Sequence, residues 1–232
     1  MFYFIWYYFW YAFIVPFFLI IVYPFCKVTV LEYLEYCIHE LKIKTIIVKE
    51  SERIQKGFIL ANHRCFFDFL WDIYISQSPI LGRRLAFLVF LFQSIFLHLE
   101  YGTVVINRGK DRAESIFKKM LQYKRVLFFP EGTRMRYTSL NSPEEVKQIL
   151  KYGILKQIYK HKQLPVQIQI TSNKEKVIDE LKMKITKGVN LKTFVTDPIY
   201  PADYETEQDF YDEIAKKWYE AWVYTHNGIA DN

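Results

Sequence analysis

The sequence places a histidine and an aspartate five residues apart, His63 and Asp68, directly after an apolar segment, Gly57–Ala61. On one ideal helix, residues at this spacing lie about 140° apart around the axis, so the two side chains cannot meet there. They can meet if His63 lies in the turn before a helix that contains Asp68. A carboxylate on one imidazole nitrogen then fixes the tautomer, and the other nitrogen can take a proton from an alcohol. The pair is therefore a candidate general base, although a capping histidine followed by an aspartate that complements the helix dipole has the same spacing.

Two further segments can supply positive charge for a phosphate. Residues 129–134 read FPEGTR after an apolar run; their proline and glycine favour a tight turn, and Arg134 can hold phosphate oxygens with two hydrogen bonds. Residues 102–108 are a glycine-led, β-branched run that ends at Arg108. Arginines at the ends of two strands can converge on one anion, whereas a single terminal arginine is usually only solvated.

In this order and at these distances, the segments resemble the motifs of the glycerolipid acyltransferase family. The resemblance is specifically to the 1-acylglycerol-3-phosphate O-acyltransferases, which convert lysophosphatidate into phosphatidate. It covers most of the chain in four blocks, at residues 62–68, 102–108, 129–134 and 164–168. A neighbouring branch of the family acylates other lysophospholipids, and the same motifs also suit that branch.

The resemblance implies a direct acyl transfer. His63 is then the general base and Asp68 its orienting partner, and the acceptor hydroxyl attacks an acyl thioester as its proton passes to His63. Because a thioester is already activated, no covalent acyl-enzyme, metal ion or organic cofactor is expected; acyl-CoA is the co-substrate, with acyl-carrier protein as the alternative donor. Pro165 is expected on the acyl-donor side. The residues implied in holding the acceptor lipid are Asn62, Arg108, Glu131, Gly132, Thr133 and Arg134.

Strand-like and helical segments alternate along residues 43–232. This alternation predicts one acyltransferase domain of the α/β class, with a largely parallel sheet flanked by helices. In such a sheet, residues with chemical roles lie in the loops that follow the carboxyl ends of the strands. The predicted strands are residues 45–48, 57–61, 103–106, 126–129, 166–170 and 191–196. The predicted helices are residues 66–76, 111–123, 143–160 and 208–226.

The first 26 residues carry no charged side chain and hold 14 of the 43 Phe, Tyr and Trp residues. An apolar helix of about 20 residues can cross a bilayer, and this segment lacks the basic start of a secretory signal. We therefore expect a membrane anchor over residues 1–42, with a membrane-embedded helical motif. Pro16 and Pro24 interrupt the run, so the segment either spans the bilayer or re-enters one leaflet. Residues 30–41 predict an amphipathic helix that lies on the membrane surface or packs on the core.

The composition indicates which partners and which cellular location the protein can have. The formal net charge of +6 at pH 7 suits a protein that binds nucleic acid or an anionic bilayer. The bilayer is favoured, because the first 26 residues are uncharged and the sequence contains no nucleic-acid motif. The three cysteines form no C-x-x-C pair, which argues against a disulfide framework or a zinc site. The simplest interpretation is that the catalytic domain of this membrane protein faces the reducing cytosol. The lysines between Lys147 and Lys187 either attract anionic lipids and donor phosphates or form a solvated face.

Two other functions fit part of the sequence. Cys65, two residues after His63, would be the nucleophile of a thioesterase or of a transferase with a covalent intermediate, whereas a small buried thiol is the ordinary role of such a cysteine. A non-catalytic protein that tethers a bilayer would explain the apolar start and the lysines. It would leave the spacing of His63, Asp68 and the two arginines without a purpose.

Overall fold

The computed structural model of the chain describes residues 2–26, 28–65, 68–107, 109, 111–135 and 139–226. The helices are α1 (Phe2–Phe9), α2 (Val15–Cys26), α3 (Val30–Glu40), α4 (Asp68–Ser76), α5 (Arg84–Val89), α6 (Leu91–Glu100), α7 (Ala113–Met120), α8 (Pro143–Ile149), α9 (Tyr152–His161), α10 (Lys174–Val177) and α11 (Glu207–His226). The strands are β1 (Lys44–Glu50), β2 (Gly57–Ala61), β3 (Ile80–Arg83), β4 (Thr103–Ile106), β5 (Arg125–Phe128), β6 (Val166–Thr171), β7 (Ile178–Asp179), β8 (Lys184–Ile185) and β9 (Asn190–Val195).

Seven of these strands form one sheet in the order β1-β9-β6-β2-β5-β3-β4. All neighbouring pairs in it are parallel except β6 and β9, which are antiparallel. The short strands β7 and β8 form a separate antiparallel ribbon. The prediction of an α/β fold with a largely parallel sheet flanked by helices is confirmed. The sequence analysis missed β3, because a four-residue ILGR segment with a glycine carries almost no strand pattern.

The centre of the sheet brings three loops to one edge. β2 lies between β5 and β6, with Leu60 opposite Phe128 and Ala61 opposite Gln169. The chain segments that follow these parallel strands therefore start side by side. Every residue of β2 and β6 is buried, as expected for strands that are covered on both faces.

Helices cover both faces of the sheet with separate apolar clusters. Alternate residues of β2 divide between them: Phe58 and Leu60 pack with α7, α9 and α11 on one face, and Ile59 and Ala61 pack with α3, α4 and α6 on the other. The largest buried side chains on the first face are Trp218 and Trp222 of α11. Together, the two clusters fix the position of the central strands from which the site loops leave.

Helix α3 packs on the core rather than lying only on a membrane surface. Its residues Val30, Tyr33, Leu34 and Cys37 are buried at helical spacing in the same cluster as β2 and α4. The Tyr33 hydroxyl accepts a hydrogen bond of 2.7 Å from Gln93 Nε2 of α6. Of the two roles expected for residues 30–41, the structure therefore supports core packing.

The N-terminal residues form α1 and α2, joined by a π-helical turn at Trp10–Ile14. The turn comes just before Pro16, which has no N–H to continue the α-helical hydrogen bonds. Phe92 of α6 makes edge contacts with Phe13 and Phe17, with ring centroids 6.1 and 5.1 Å apart. Within the described ranges, none of the helices combines the length and the apolar character needed to cross a bilayer.

The prediction of one helix over residues 143–160 is wrong. The chain forms α8 and α9 instead, because Leu150 and Lys151 between them have extended backbone angles. The N–H of Lys151 donates a hydrogen bond of 2.9 Å to the carbonyl oxygen of Pro130. The break therefore attaches this segment to the turn that follows β5.

Gly57 gives a test of how tightly the central strands pack. Its φ of +142° disfavours any side chain, and a Cβ there would lie 2.4 Å from the carbonyl oxygen of Pro165. We expect Gly57→Ala to lower the free energy of unfolding by about 2 kcal/mol or more, as measured by denaturant unfolding. The matched control is Gly153→Ala in α9, where a Cβ would meet only Ala113 at 3.5 Å. An equal loss of stability in both variants would contradict this packing.

Candidate active site

The structure brings His63 and Asp68 together. His63 lies in the turn after β2, Asp68 is the first residue of α4, and the distance from His63 Nδ1 to Asp68 Oδ2 is 3.0 Å. The Asp68 side chain is almost fully buried, whereas 23% of the His63 side chain is exposed. An imidazole at the surface thus rests on a buried carboxylate.

The Asp68 carboxylate accepts several other hydrogen bonds from the turn. The main-chain N–H of Arg64 donates to Oδ2, and Cys65 donates to Oδ1 from its N–H at 3.0 Å and from its thiol at 2.8 Å. Burial alone would raise the pKa of Asp68, but the Lys174 ammonium and the hydrogen bonds from His63 and Cys65 hold that pKa below its ordinary value. Asp68 is therefore a carboxylate at neutral pH.

His63 is also fixed on its other sides. Its N–H donates to Glu131 Oε2 at 2.5 Å, its carbonyl accepts from the Met135 N–H at 2.8 Å, and its ring stacks on Phe129 with centroids 4.4 Å apart. The ring nitrogen Nε2 has no hydrogen-bond partner among the residues that the structure describes. Because Nδ1 faces a carboxylate, we assign the proton to Nδ1, which leaves Nε2 as the acceptor.

Two residues predicted to hold the acceptor, Asn62 and Glu131, contact the main chain of the protein. Both are buried. Asn62 donates from Nδ2 to the Thr171 carbonyl and accepts from the Thr171 N–H at Oδ1, each at 3.0 Å, so it joins the ends of β2 and β6. Glu131 accepts the His63 N–H. In this structure both side chains support the position of His63, and their predicted contact with the acceptor stays a prediction.

The turn after β5 has basic side chains around it. Gly132 has a φ of +67°, and a Cβ there would lie 2.9 Å from Lys151 Cδ. The carbonyl oxygen of Gly132 accepts a hydrogen bond of 2.7 Å from Arg83 Nη2. Thr133 is exposed, and Arg134 forms an ion pair with Glu180. Arg83, at the carboxyl end of β3, was missed by the sequence analysis together with its strand.

Of the other predicted site residues, Pro165 is not brought to this edge of the sheet. Arg108 lies outside the described residues. Pro165 precedes β6, and its carbonyl accepts a hydrogen bond of 3.0 Å from the N–H of Phe58, near the start of β2. Because His63 follows the other end of β2, the structure does not bring Pro165 to His63. A role for Pro165 on the acyl-donor side stays a prediction.

The prediction for Lys174, which lies close to Asp68, is wrong. Lys174 was expected either to attract anionic groups or to belong to a solvated face, but it is 0% exposed. Its Nζ donates to Asp72 Oδ2 at 2.8 Å and to the Asn62 carbonyl at 2.5 Å, and it lies 3.8 Å from Asp68 Oδ2. The usable signal was Asp72, a carboxylate in the apolar segment DFLWDIYI, which requires a cation when it is buried.

Comparisons with known proteins give the family and the fold of the chain. The family model Acyltransferase matches residues 45–167, which is more than half of the chain. The chain belongs to the acyltransferase family. The matched range contains every sequence-predicted site residue of this acyltransferase, and Lys174 lies beyond it. The predicted family resemblance is therefore confirmed.

The acyltransferase also has the fold of a solved relative. Its structure is similar to the crystal structure of the 1-acyl-sn-glycerophosphate (LPA) acyltransferase PlsC from Thermotoga maritima, with a TM-score of 0.59. The similarity covers 88% of this chain and 92% of that chain at 15% sequence identity. No curated protein sequence matches the acyltransferase significantly.

Asn62→Ala tests whether Asn62 supports the site structurally. The substitution leaves the buried N–H and carbonyl of Thr171 without their partner, so we expect the free energy of unfolding to fall by about 2 kcal/mol or more. Denaturant unfolding measures this loss. The control is Asn141→Ala, because Asn141 is exposed and, among the described residues, its hydrogen-bond partner is Glu145. Unchanged stability of Asn62→Ala, with weaker acceptor binding, would show that Asn62 acts on the substrate instead.

Proposed function

We propose that this acyltransferase transfers a fatty acyl group from acyl-CoA to the free hydroxyl of lysophosphatidate and so forms phosphatidate. His63 is the general base and Asp68 its partner. The observation that carries the proposal is the orientation of the His63 ring. Nδ1 is held by a buried carboxylate, Nε2 has no partner among the described residues, and 23% of the His63 side chain is exposed. An acceptor hydroxyl can approach a nitrogen of this kind.

The reaction needs only this base and an activated donor. Nε2 of His63 takes the hydroxyl proton as the oxygen bonds to the thioester carbonyl carbon. Asp68 stabilises the imidazolium that forms. When the tetrahedral intermediate collapses, the carbon–sulfur bond breaks, and the departing thiolate takes the proton from His63. Coenzyme A leaves as a free thiol, and His63 is neutral again.

The main-chain hydrogen bonds of the turn after β2 hold the His63–Asp68 pair in place. The main-chain N–H groups of Arg64 and Cys65 donate to Asp68, and that of His63 donates to Glu131. These three donors are the ones closest in sequence to the base, and they hold the dyad rigid instead of facing a reacting oxyanion. The rigidity keeps Nε2 in a fixed position, which favours proton transfer.

Basic groups near the base support a phosphate-bearing acceptor. Arg134 directly precedes Met135, whose N–H bonds the His63 carbonyl. Arg83 contacts Gly132, which directly follows the glutamate that holds His63. Guanidinium groups bind phosphate with paired, charge-assisted hydrogen bonds. A lysophospholipid with a different headgroup remains the alternative acceptor, because every such lipid carries the same glycerol phosphate.

A membrane location suits an amphiphilic acceptor. We propose that residues 1–42 form the membrane anchor, with α1 and α2 in contact with the bilayer, and that residues 43–232 form the catalytic domain on its cytosolic side. The support is the exposed apolar surface of α1 and α2, where Trp6, Phe18 and Phe25 are 60%, 59% and 84% exposed. Helix α5 adds Leu85, which is 71% exposed, and has no buried residue.

The decisive experiment measures thiol release from a long-chain acyl-CoA by detergent-solubilised protein, with and without lysophosphatidate. We expect release to require the acceptor and to fall by about 100-fold or more in His63→Ala, because the base is lost. The matched control is His39→Ala, since His39 is exposed at the end of α3. A panel of lysophospholipids with other headgroups then identifies the preferred acceptor.

Each failure of this experiment points to a different function. Thiol release without any acceptor would indicate a thioesterase. Full activity of His63→Ala would remove His63 as the base. Binding to lipid vesicles that His63→Ala does not change, with no turnover on any acceptor, would indicate a bilayer tether.

Cys65→Ser separates direct transfer from transfer through a covalent thioester. Cys65 is 0% exposed, and its thiol donates to Asp68 Oδ1, so it holds the carboxylate and does not face a substrate. A serine hydroxyl can donate the same hydrogen bond. We expect thiol release by the variant to stay within about five-fold of the wild type. Complete loss of activity in a folded Cys65→Ser protein would favour the covalent route.

A further inference from the structure

The candidate site contains a buried cation that the proposed reaction does not itself use. Lys174 is the first residue of α10, just past the carboxyl end of β6, and none of its surface is exposed. Burying an ammonium is costly unless nearby charges and hydrogen bonds compensate it. Lys174 Nζ has two hydrogen bonds, to Asp72 Oδ2 at 2.8 Å and to the Asn62 carbonyl at 2.5 Å.

Two buried carboxylates share this one ammonium. Asp68 and Asp72 lie four residues apart on α4 and therefore on one face of the helix. Lys174 Nζ is 2.8 Å from Oδ2 of Asp72 and 3.8 Å from Oδ2 of Asp68. The only basic side chains within 4 Å of either carboxylate, in the part of the chain that the structure describes, are Lys174 and His63.

The two carboxylates respond differently to burial. Burial raises the pKa of Asp72 to about 6 even though Lys174 opposes the rise. Burial would also raise the pKa of Asp68, yet Lys174, His63 and the turn hold it below its ordinary value. Burial would lower the pKa of Lys174, but the two carboxylates raise it. The cluster therefore keeps Lys174 charged and Asp68 ionised, and Asp72 is the group that gains a proton first.

We propose that Lys174 is a positioning residue of this acyltransferase: its buried ammonium keeps Asp68 ionised so that Asp68 can orient His63 and stabilise its imidazolium. Asp72 accepts a hydrogen bond from the ammonium, and its own protonation changes the net charge of the cluster. The inference rests on the proposed function in one respect, the role of Asp68 as partner of a catalytic His63. An opposite charge at this distance lowers a carboxyl pKa by about 1 to 3 units, which is sufficient to decide the state of a buried aspartate.

The other ionisable groups around the cluster have partners of their own or carry no charge. Arg64 and Glu175 pair with each other, at 3.1 Å between Nη2 and Oε1. Glu131 accepts the His63 N–H. Burial lowers the pKa of His226, at the end of α11, to about 4, so this imidazole is uncharged at neutral pH. Cys65 donates its thiol proton to Asp68.

Lys174→Met tests the proposal through the pH dependence of activity. Methionine has a similar length and no charge, so the pKa of Asp68 rises and the pair takes up a proton more readily. We expect the acidic limb of the kcat/KM profile to move to higher pH by about one unit, with activity partly recovered at alkaline pH. Asp68→Asn, which has no carboxylate to ionise, is expected to lose activity at every pH. The matched control is Lys176→Met, because Lys176 is exposed two residues further on.

The unfolding midpoint gives a second readout that does not need activity. In the wild type, the low pKa of Asp68 stabilises the fold above the pKa of an unfolded aspartate. In Lys174→Met, the pKa of both carboxyls rises in the folded protein but not in the unfolded chain, so stability is lost as pH rises. We expect the midpoint deficit relative to the wild type to grow by about 5 °C or more between about pH 5 and about pH 8. Lys174→Met/Asp72→Asn retains one buried carboxyl, so its deficit grows less and it provides a folded variant if Lys174→Met alone does not fold.

The outcomes separate the two proposals. A deficit that grows with pH, together with a shifted acidic limb, supports Lys174 as the counter-charge. A deficit of equal size at both pH values, with a kcat/KM profile that coincides with the wild type, overturns it and leaves Lys174 a packing role only. If the wild-type protein shows no acyl transfer, the proposed function fails, and the midpoint measurement alone decides whether Lys174 compensates the charge of Asp68.

Discussion

The site depends on keeping an ionised carboxylate inside the protein. Asp68 is buried beneath His63, and a carboxylate in that position is stable only if donors and a counter-charge surround it. The turn from Arg64 to Cys65 provides main-chain and thiol donors, and Lys174 provides the charge. The path of the turn, the start of α4 and the position of α10 all satisfy this one requirement.

The sheet meets that requirement through the order of its strands. β2 delivers His63, β5 delivers the turn that holds the His63 main chain, and β6 delivers Lys174. Because the three strands are parallel neighbours, their carboxyl ends open at one edge. Asn62 then fixes the end of β2 to the end of β6 through both polar groups of Thr171. The same edge carries Arg83 and the basic residues near Gly132, so the acid–base pair and the positive charge arise from one topological feature.

The sequence predicted the features that depend on short-range spacing. His63 and Asp68 are five residues apart, and the alternation of strands and helices follows from local patterns, so both could be inferred without coordinates. Lys174 could not, because it lies 106 positions beyond Asp68 and resembles its solvent-exposed neighbours in sequence. The break at Leu150 and Lys151 was missed because the apolar spacing continues through it, while the hydrogen bond to Pro130 that fixes the break joins distant segments. β3, which carries Arg83, is too short to show a recognisable strand pattern in the sequence.

The long sequence separation between Lys174 and the two aspartates also constrains how the chain can reach its native state. The ribosome synthesises both aspartates of α4 first, and the lysine whose ammonium they share follows roughly one hundred residues later. A nascent chain that ends before β6 lacks both the neighbour of β2 and the Lys174 ammonium that lies beside the two carboxylates. The proposed base and its partner therefore lack this counter-charge until Lys174 of α10 has been synthesised. The site thus depends on contacts between segments far apart in sequence, and such contacts form more slowly than local ones.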